Sequence, residues 1–177
     1  MKAIYKRELR SYFTSPIGYV FVAVYLVLSG VLFAYTTLLS AISGGSADIG
    51  TYFTVLICGF SFLLPLLTMR LFADDRRMKT EQLLLTAPVS IGGMVGAKFL
   101  AAYTVFAGTY AVSALDFLLL YIYNDTTGVV TEKNTAMLVG YSIAVLLLGA
   151  AFIAIGVFVS SLTEHQITAV IATIAIL

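Results

Sequence analysis

Residues 136–161 read AMLVGYSIAVLLLGAAFIAIGVFVSS and contain no charged side chain. At about 1.5 Å of rise per residue, an α-helix over this stretch is longer than the ~30 Å hydrocarbon core of a bilayer. A segment in hydrocarbon must satisfy its own backbone hydrogen bonds, and a helix does so within one segment. The stretch therefore predicts a membrane-spanning helix and an all-α fold.

Further apolar stretches predict spans at 17–39, 51–72, 97–123 and 165–177. The chain of 177 residues is 60% hydrophobic and 11% charged, whereas soluble domains carry about 25% charged residues. We therefore expect one polytopic transmembrane helical bundle over 1–177, with the bilayer as its solvent. Five spans are begun, and the last, at 165–177, is too short to cross and looks truncated. The net charge of +1, without a basic patch, favours no nucleic-acid partner.

The distribution of basic residues predicts the orientation of the bundle. Nine of the ten lysines and arginines lie within residues 1–16 or 70–98. Lysine and arginine are concentrated in cytoplasmic loops of membrane proteins. We therefore expect the N-terminus and the 70–98 segment to be cytoplasmic, and the loops at 40–50 and 124–134 to face the other side of a plasma membrane.

Residues 1–16 show an apolar stripe at helical spacing, with the basic residues off that stripe. The stripe consists of Met1, Ile4, Tyr5, Leu9, Tyr12 and Phe13. A basic amphipathic helix typically lies in the headgroup plane, so we expect an interfacial helix here. Pro16 suits the first turn of the helix that follows.

Three further patterns predict local environments. Cys58 stands in an apolar run, which favours a small buried side chain. Tyrosines near span ends are typical of aromatic belts at the membrane surface; they are Tyr12, Tyr19, Tyr52, Tyr121 and Tyr123. Gly156 and Ser160, four residues apart, favour close helix packing.

The connection at 73–90 reads ADDRRMKTEQLLLTAPVS and carries much of the charge between two apolar spans. After a dense run of charges, residues 79–86 predict a short helix, which Pro88 ends by disfavouring helical geometry at Ala87. Three consecutive leucines on a water-facing helix expose apolar surface that must be buried. They could pack on the underside of the bundle or in the groove of a soluble partner.

Three strings carry a family resemblance: KRELRSYFTSP at 6–16, RRMKTEQLLLTAPVS at 76–90 and SSLTEHQ at 160–166. In this order relative to the spans, the chain resembles the permease subunits of ABC-2 type transporters. It is most similar to the branch named for gliding motility and copper processing. The chain differs from the family at Gln82, where many relatives carry glutamate. It also differs at the C-terminal end, where the family has a sixth helix.

The resemblance implies a bacterial inner-membrane exporter with six spans and both termini in the cytoplasm. It implies a dimer with a second permease copy or a paralogue, and two ABC ATPase subunits that bind ATP and Mg. The segment 73–90 would carry a coupling helix that docks on the ATPase. Its residues would be Lys79, Thr80, Glu81, Gln82, Leu83, Leu84, Leu85 and Thr86, with a second cytoplasmic contact at Glu164 and His165.

ATP chemistry is not expected in this chain. It contains no phosphate-binding loop of the Gly-x-x-x-x-Gly-Lys-Ser/Thr type, so the chain is predicted to be a transport subunit and not an enzyme, with ATP hydrolysis in a partner. No bound cofactor or metal is expected either. His165 beside Glu164 falls short of the three or four protein ligands that zinc takes.

Asp116 is the carboxylate that lies inside a predicted span. Ionisable residues within a membrane usually face the bundle interior or a water-filled path. Asp116 therefore indicates a substrate or ion contact, or else an acid hydrogen-bonded near the interface. Two alternative functions follow: an ion-coupled secondary carrier that uses Asp116, and a membrane scaffold that recruits a soluble partner through 73–90.

Overall fold

The computed structural model describes residues 2–39, 49–69, 71, 91–118, 132–163 and 166–177. These residues form helices joined by short turns and contain no strand, which confirms the all-α fold for this part of the chain. The helices are α1 (Lys2–Thr14), α2 (Pro16–Leu32), α3 (Ile49–Thr68), α4 (Ile91–Ser113), α5 (Glu132–Leu162) and α6 (Gln166–Ile176).

Four stretches in the described part of the chain are long and apolar enough to cross a membrane. They are Gly18–Thr36, Ile49–Thr68, Gly92–Leu118 and Thr135–Leu162, and they overlap the segments predicted at 17–39, 51–72, 97–123 and 136–161. The helix α6 falls within the predicted 165–177 segment and has 11 residues. The chain thus has the character of a membrane protein.

The helix α2 starts at Pro16, as predicted from the missing N–H of proline. It continues beyond Leu32 as a π-helical segment, Phe33–Leu38. Such wider turns are rare and often occur at functional sites. Here the segment sets Phe33 edge-on against Tyr52 of α3 and Phe117 after α4, at ring-centroid distances of 6.4 and 5.3 Å.

The helix α3 contacts α2, α5 and α6, and α1 packs across α4 and the start of α2. The Tyr12 hydroxyl of α1 donates to the carbonyl of Leu67 in α3 at 3.0 Å. The Ser160 hydroxyl of α5 donates to the carbonyl of Met69 at 3.2 Å. These bonds bring α1 and the C-terminal ends of α3 and α5 to one end of the bundle, hereafter the N-terminal end.

The α5 helix packs closely through two of its glycines. A Cβ atom added at Gly156 would lie 2.2 Å from the Thr68 hydroxyl oxygen, and one at Gly149 would lie 2.2 Å from the Phe106 ring. Both Gly156 and Ser160 are buried, so the close packing predicted for this pair is confirmed. Only a residue without a side chain lets α3 and α4 approach α5 at these two points.

The structure overturns two predicted environments. Cys58 is exposed on α3, because in a helix without charged residues the sequence does not distinguish the face that packs from the face that does not. Tyr12 and Tyr52 are buried among other helices instead of forming a surface belt, whereas Tyr19 is exposed. Tyr121 and Tyr123 lie outside the described residues.

The predicted N-terminal helix exists as α1, but its stripe is only partly the buried face. Tyr5 and Leu9 are partly buried, Tyr12 is buried, and Phe13 is 54% exposed. Glu8 takes a place on the buried face because Lys98 of α4 lies opposite it. The face that the sequence would assign to lipid therefore packs in part on protein, and the headgroup location of α1 stays a prediction.

Candidate functional site

Most of the site residues predicted from the sequence lie outside the described part of the chain. These are Lys79, Thr80, Glu81, Gln82, Leu83, Leu84, Leu85 and Thr86 of the coupling segment, together with Glu164 and His165. Asp116 is described. The described residues offer two candidate regions: one borders the 72–90 segment, and the other lies around Asp116.

A buried ion pair lies at the N-terminal end of the bundle. The Lys98 ammonium of α4 is 3.4 Å from the Glu8 carboxylate of α1, and it also donates to the carbonyl oxygen of Leu71. Lys98 is 1% exposed and Glu8 is 8% exposed. We call Glu8, Lys98 and the Leu71 carbonyl the Lys98 joint.

The Lys98 joint belongs to a larger set of contacts that cap the end of α3. The last carbonyls of a helix have no partner within the helix and carry partial negative charge. Tyr12 of α1, Ser160 of α5 and Lys98 of α4 each donate to a carbonyl in this region, at Leu67, Met69 and Leu71 respectively. Three neighbouring helices therefore fix the point at which the chain leaves α3.

The Lys98 joint lies at the base of the predicted coupling segment. Residues 72–90 begin directly after Leu71 and end where α4 starts, at Ile91. Lys98 is on the second turn of α4, so its bond to the Leu71 carbonyl ties the two ends of the segment together. Its pairing with Glu8 ties both ends to α1.

A second polar group lies between the helices towards the opposite end of the bundle. Its members are Tyr25 of α2, Tyr52 of α3, Tyr110 and Ser113 of α4, and Ser142 of α5, hereafter the hydroxyl cluster. The Tyr52 and Ser113 hydroxyl oxygens are 3.4 Å apart. The Tyr110 hydroxyl donates to the Ser142 hydroxyl at 2.9 Å, and Ser142 donates to the carbonyl of Leu138 at 2.8 Å.

Asp116 lies at the edge of the hydroxyl cluster. It follows Ser113 by about one helical turn and is half-buried, and it is an electrostatic neighbour of the Tyr25 and Tyr52 hydroxyls. The structure thus places the predicted pathway residue within electrostatic range of the Tyr25 and Tyr52 hydroxyls. A carboxylate at this range can attract a cation or orient water between itself and the hydroxyls.

An aromatic layer separates the hydroxyl cluster from the Lys98 joint. The Tyr25 ring stacks on Phe60 at 5.8 Å and on Phe21 at 6.3 Å, and Phe60 meets Phe106 edge-on at 5.3 Å. Aromatic pairs at these distances and angles are favourable beyond their apolar burial. The layer therefore forms a packed barrier between the two polar regions.

Sequence reasoning missed the Glu8–Lys98 pair and the hydroxyl cluster. Glu8 is the sole acidic residue before Asp48, and Lys98 is the sole charged residue between Ile91 and Asp116. A lone acid on an otherwise basic helix and a lone cation in an apolar helix are each costly to bury, so they favour each other as partners. That signal was available, although it does not specify which helices are neighbours.

No group of three or more metal-binding side chains occurs within the residues that the structure describes. Comparison of the chain with protein-family models, with curated protein sequences and with solved structures finds no match. The assignment of function therefore rests on the sequence and on the two polar regions.

Proposed function

We propose that this chain is the membrane-spanning permease subunit of an ATP-driven ABC-2 type transporter, an exporter of the bacterial inner membrane with a cytoplasmic N-terminus. A separate ATPase subunit would engage the cytoplasmic segment 73–90 and supply the ATP and Mg chemistry. The observation that supports this most is the Lys98 joint, which ties both ends of that segment to α1. The resemblance of residues 76–90 to the coupling region of such permeases indicates that the partner is an ATPase.

In the proposed mechanism, ATP brings two partner ATPase subunits together and displaces the helix at 79–86. Because Lys98 holds the end of α3 against the start of α4, the displacement reaches both spans as one unit. Glu8 carries α1 with them. A path then opens between this chain and a second permease copy or a paralogue. The ATP is consumed on the partner, and this chain binds no cofactor of its own.

The test is the triple substitution Leu83→Ser/Leu84→Ser/Leu85→Ser in the full-length protein. We expect the ATPase to be lost from the detergent-solubilised complex while the helical content is unchanged, because the docking helix loses its apolar face. The matched control is Val129→Ser/Val130→Ser in the loop predicted on the other side of the membrane, which should keep the ATPase. Retention of the ATPase by the triple variant would overturn the proposal.

A second candidate function is an ion-coupled carrier that uses Asp116. It is favoured by the position of Asp116 beside the hydroxyl cluster, since a coupling ion or proton needs oxygen ligands inside the bundle. We expect Asp116→Asn to abolish ion-dependent uptake or efflux in proteoliposomes that lack ATP if this candidate is correct. Transport that requires ATP and survives Asp116→Asn would exclude it. A scaffold that only recruits a soluble partner through 73–90 would transport nothing in either assay.

A further inference from the structure

The Tyr25 hydroxyl is the polar group in the bundle that the proposed function leaves unexplained. Tyr25 lies near the middle of α2 and is 0% exposed. Its hydroxyl oxygen is buried and makes no hydrogen bond of acceptable geometry with the described residues. A buried polar group without a partner loses its bonds to water and gains nothing in exchange.

The surroundings of the Tyr25 ring do not require a tyrosine. The ring packs between Phe21 and Phe60, and its plane is within 3° of parallel to that of Phe60. Phenylalanine would make the same stacking contacts without burying a hydroxyl. The ring contacts therefore do not account for the hydroxyl group.

The Ser113 hydroxyl lies close to the Tyr25 hydroxyl without forming a well-aligned hydrogen bond, and Tyr52, Tyr110 and Asp116 lie within electrostatic range of it. Tyr25, Tyr52 and Ser113 bring three O–H donors to one place, and the bond between Tyr52 and Ser113 is long, at 3.4 Å. That bond uses one donor. The other two protons and several oxygen lone pairs remain for a small molecule that both donates and accepts.

We propose that the hydroxyl cluster binds an ordered water molecule between Tyr25, Tyr52 and Ser113. Water matches this set because a buried water typically makes two to four hydrogen bonds to polar groups that lack other partners. Its oxygen accepts a hydrogen bond from the Tyr25 hydroxyl, and its own O–H groups donate hydrogen bonds to the Tyr52 and Ser113 oxygens. An anion is disfavoured by the nearby Asp116 carboxylate. The inference stands whether or not the chain is a permease.

The bound water would join α2 to α3 and α4 by an exchangeable contact. A hydrogen bond through water is nearly as favourable as a direct one, and it tolerates a change in the distance between the groups it bridges. The α2 helix could therefore shift against α3 and α4 without leaving a buried donor unpaired. The direct bonds of the Lys98 joint do not offer this freedom.

The test is radiolytic hydroxyl-radical labelling of the full-length protein in lipid nanodiscs, followed by mass spectrometry. Radicals formed from a bound water label the side chains beside it, so we expect Tyr25 to be modified although it is buried. Phe60 is the matched control, because it is equally buried and stacks on Tyr25 but carries no hydroxyl group to bind a water. Labelling of Tyr25 no greater than that of Phe60 would overturn the proposal.

Thermal unfolding of Tyr25→Phe is an independent test. The unfolding midpoint changes in opposite directions for a water-bridged and for an unpaired hydroxyl. If water bridges the hydroxyl, the variant loses that bond, and we expect its unfolding midpoint to fall by about 2–4 °C. If the hydroxyl is unpaired, the variant removes a buried polar group and the midpoint rises, which would overturn the proposal.

Discussion

The Lys98 joint and the hydroxyl cluster are two polar regions inside an apolar bundle. Their side chains meet their hydrogen-bonding needs in different ways. The joint pairs a full positive charge with a carboxylate and a helix-end carbonyl, all through direct bonds. The hydroxyl cluster is made of neutral groups, with one long bond and one hydroxyl that no described residue satisfies. The comparison indicates a rigid region at the N-terminal end and a more adjustable one towards the other end.

The difference in charge sets the difference in energy. Separating a buried ion from its partner leaves an uncompensated charge, at a cost of about 3–5 kcal/mol. Loss of a neutral hydrogen bond costs about 0.5–1.5 kcal/mol. Movement within the bundle is therefore easier around the hydroxyl cluster. Movement at the Lys98 joint would carry its three segments together.

The largest expected effect comes from breaking the Lys98 joint. We expect Lys98→Met and Glu8→Gln each to lower the free energy of unfolding by about 3–5 kcal/mol, because each removes one charge of a buried ion pair and leaves the other charge in the bundle. The double variant should recover part of the loss, since the two groups are in contact. The measurement is denaturant unfolding of each variant in mixed micelles.

The control for this cycle is Arg7→Gln. Arg7 also lies near Glu8, at 3.6 Å, but its side chain is 56% exposed, so we expect a change of at most about 1 kcal/mol. A loss for Lys98→Met no larger than that for Arg7→Gln would show that the joint is not a rigid anchor, and the contrast between the two regions would disappear.

An intermediate effect is expected where α5 meets the end of α3. Gly156→Ala places a Cβ atom 2.2 Å from the Thr68 hydroxyl oxygen, and overpacking of this kind costs about 1–3 kcal/mol. The matched control is Gly140→Ala on the same helix, where an added Cβ meets no atom within 4 Å. Thermal unfolding of the two variants should separate them, and equal midpoints would mean that α5 can move away from Thr68.

The smallest effect is expected in the hydroxyl cluster. Tyr110→Phe should cost about 0.5–1.5 kcal/mol, because Ser142 keeps its bond to the Leu138 carbonyl. Tyr12→Phe at the N-terminal end should cost more, since it removes a cap from the end of α3. Denaturant unfolding of both tyrosine variants measures the two costs under the same conditions. A larger loss of unfolding free energy for Tyr110→Phe would mean that the hydroxyl cluster is the more strongly held region.

Much of the helical architecture could be predicted from single segments of the sequence. The uncharged run at 136–161 falls within α5, and Pro16 begins α2. These features follow from local rules, because helix length depends on the run of apolar residues and proline suits a first turn. The polar pairings could not be predicted in the same way. Glu8 and Lys98 are 90 positions apart, and no local pattern states that α1 packs on α4.

The buried face of each span also could not be predicted from local sequence patterns. In a soluble helix, alternation of polar and apolar residues marks the buried face, but the spans here are apolar on all sides. No pattern in the sequence therefore indicated that Cys58 would be exposed while Tyr52 is buried. It also placed Tyr25 among apolar neighbours without showing that its hydroxyl lies near those of Ser113 and Tyr52.

The sequence by itself determined that this chain is helical, that its helices are long and apolar enough for a membrane, and that a charged segment interrupts them at 73–90. These properties depend on residues close together in the chain. The tertiary structure alone decided that Lys98 joins Glu8 to the end of α3, and that hydroxyls from four helices meet near Asp116. The physical reason is that a buried polar group must find its partner in space, and the neighbours in space are set by how the helices pack.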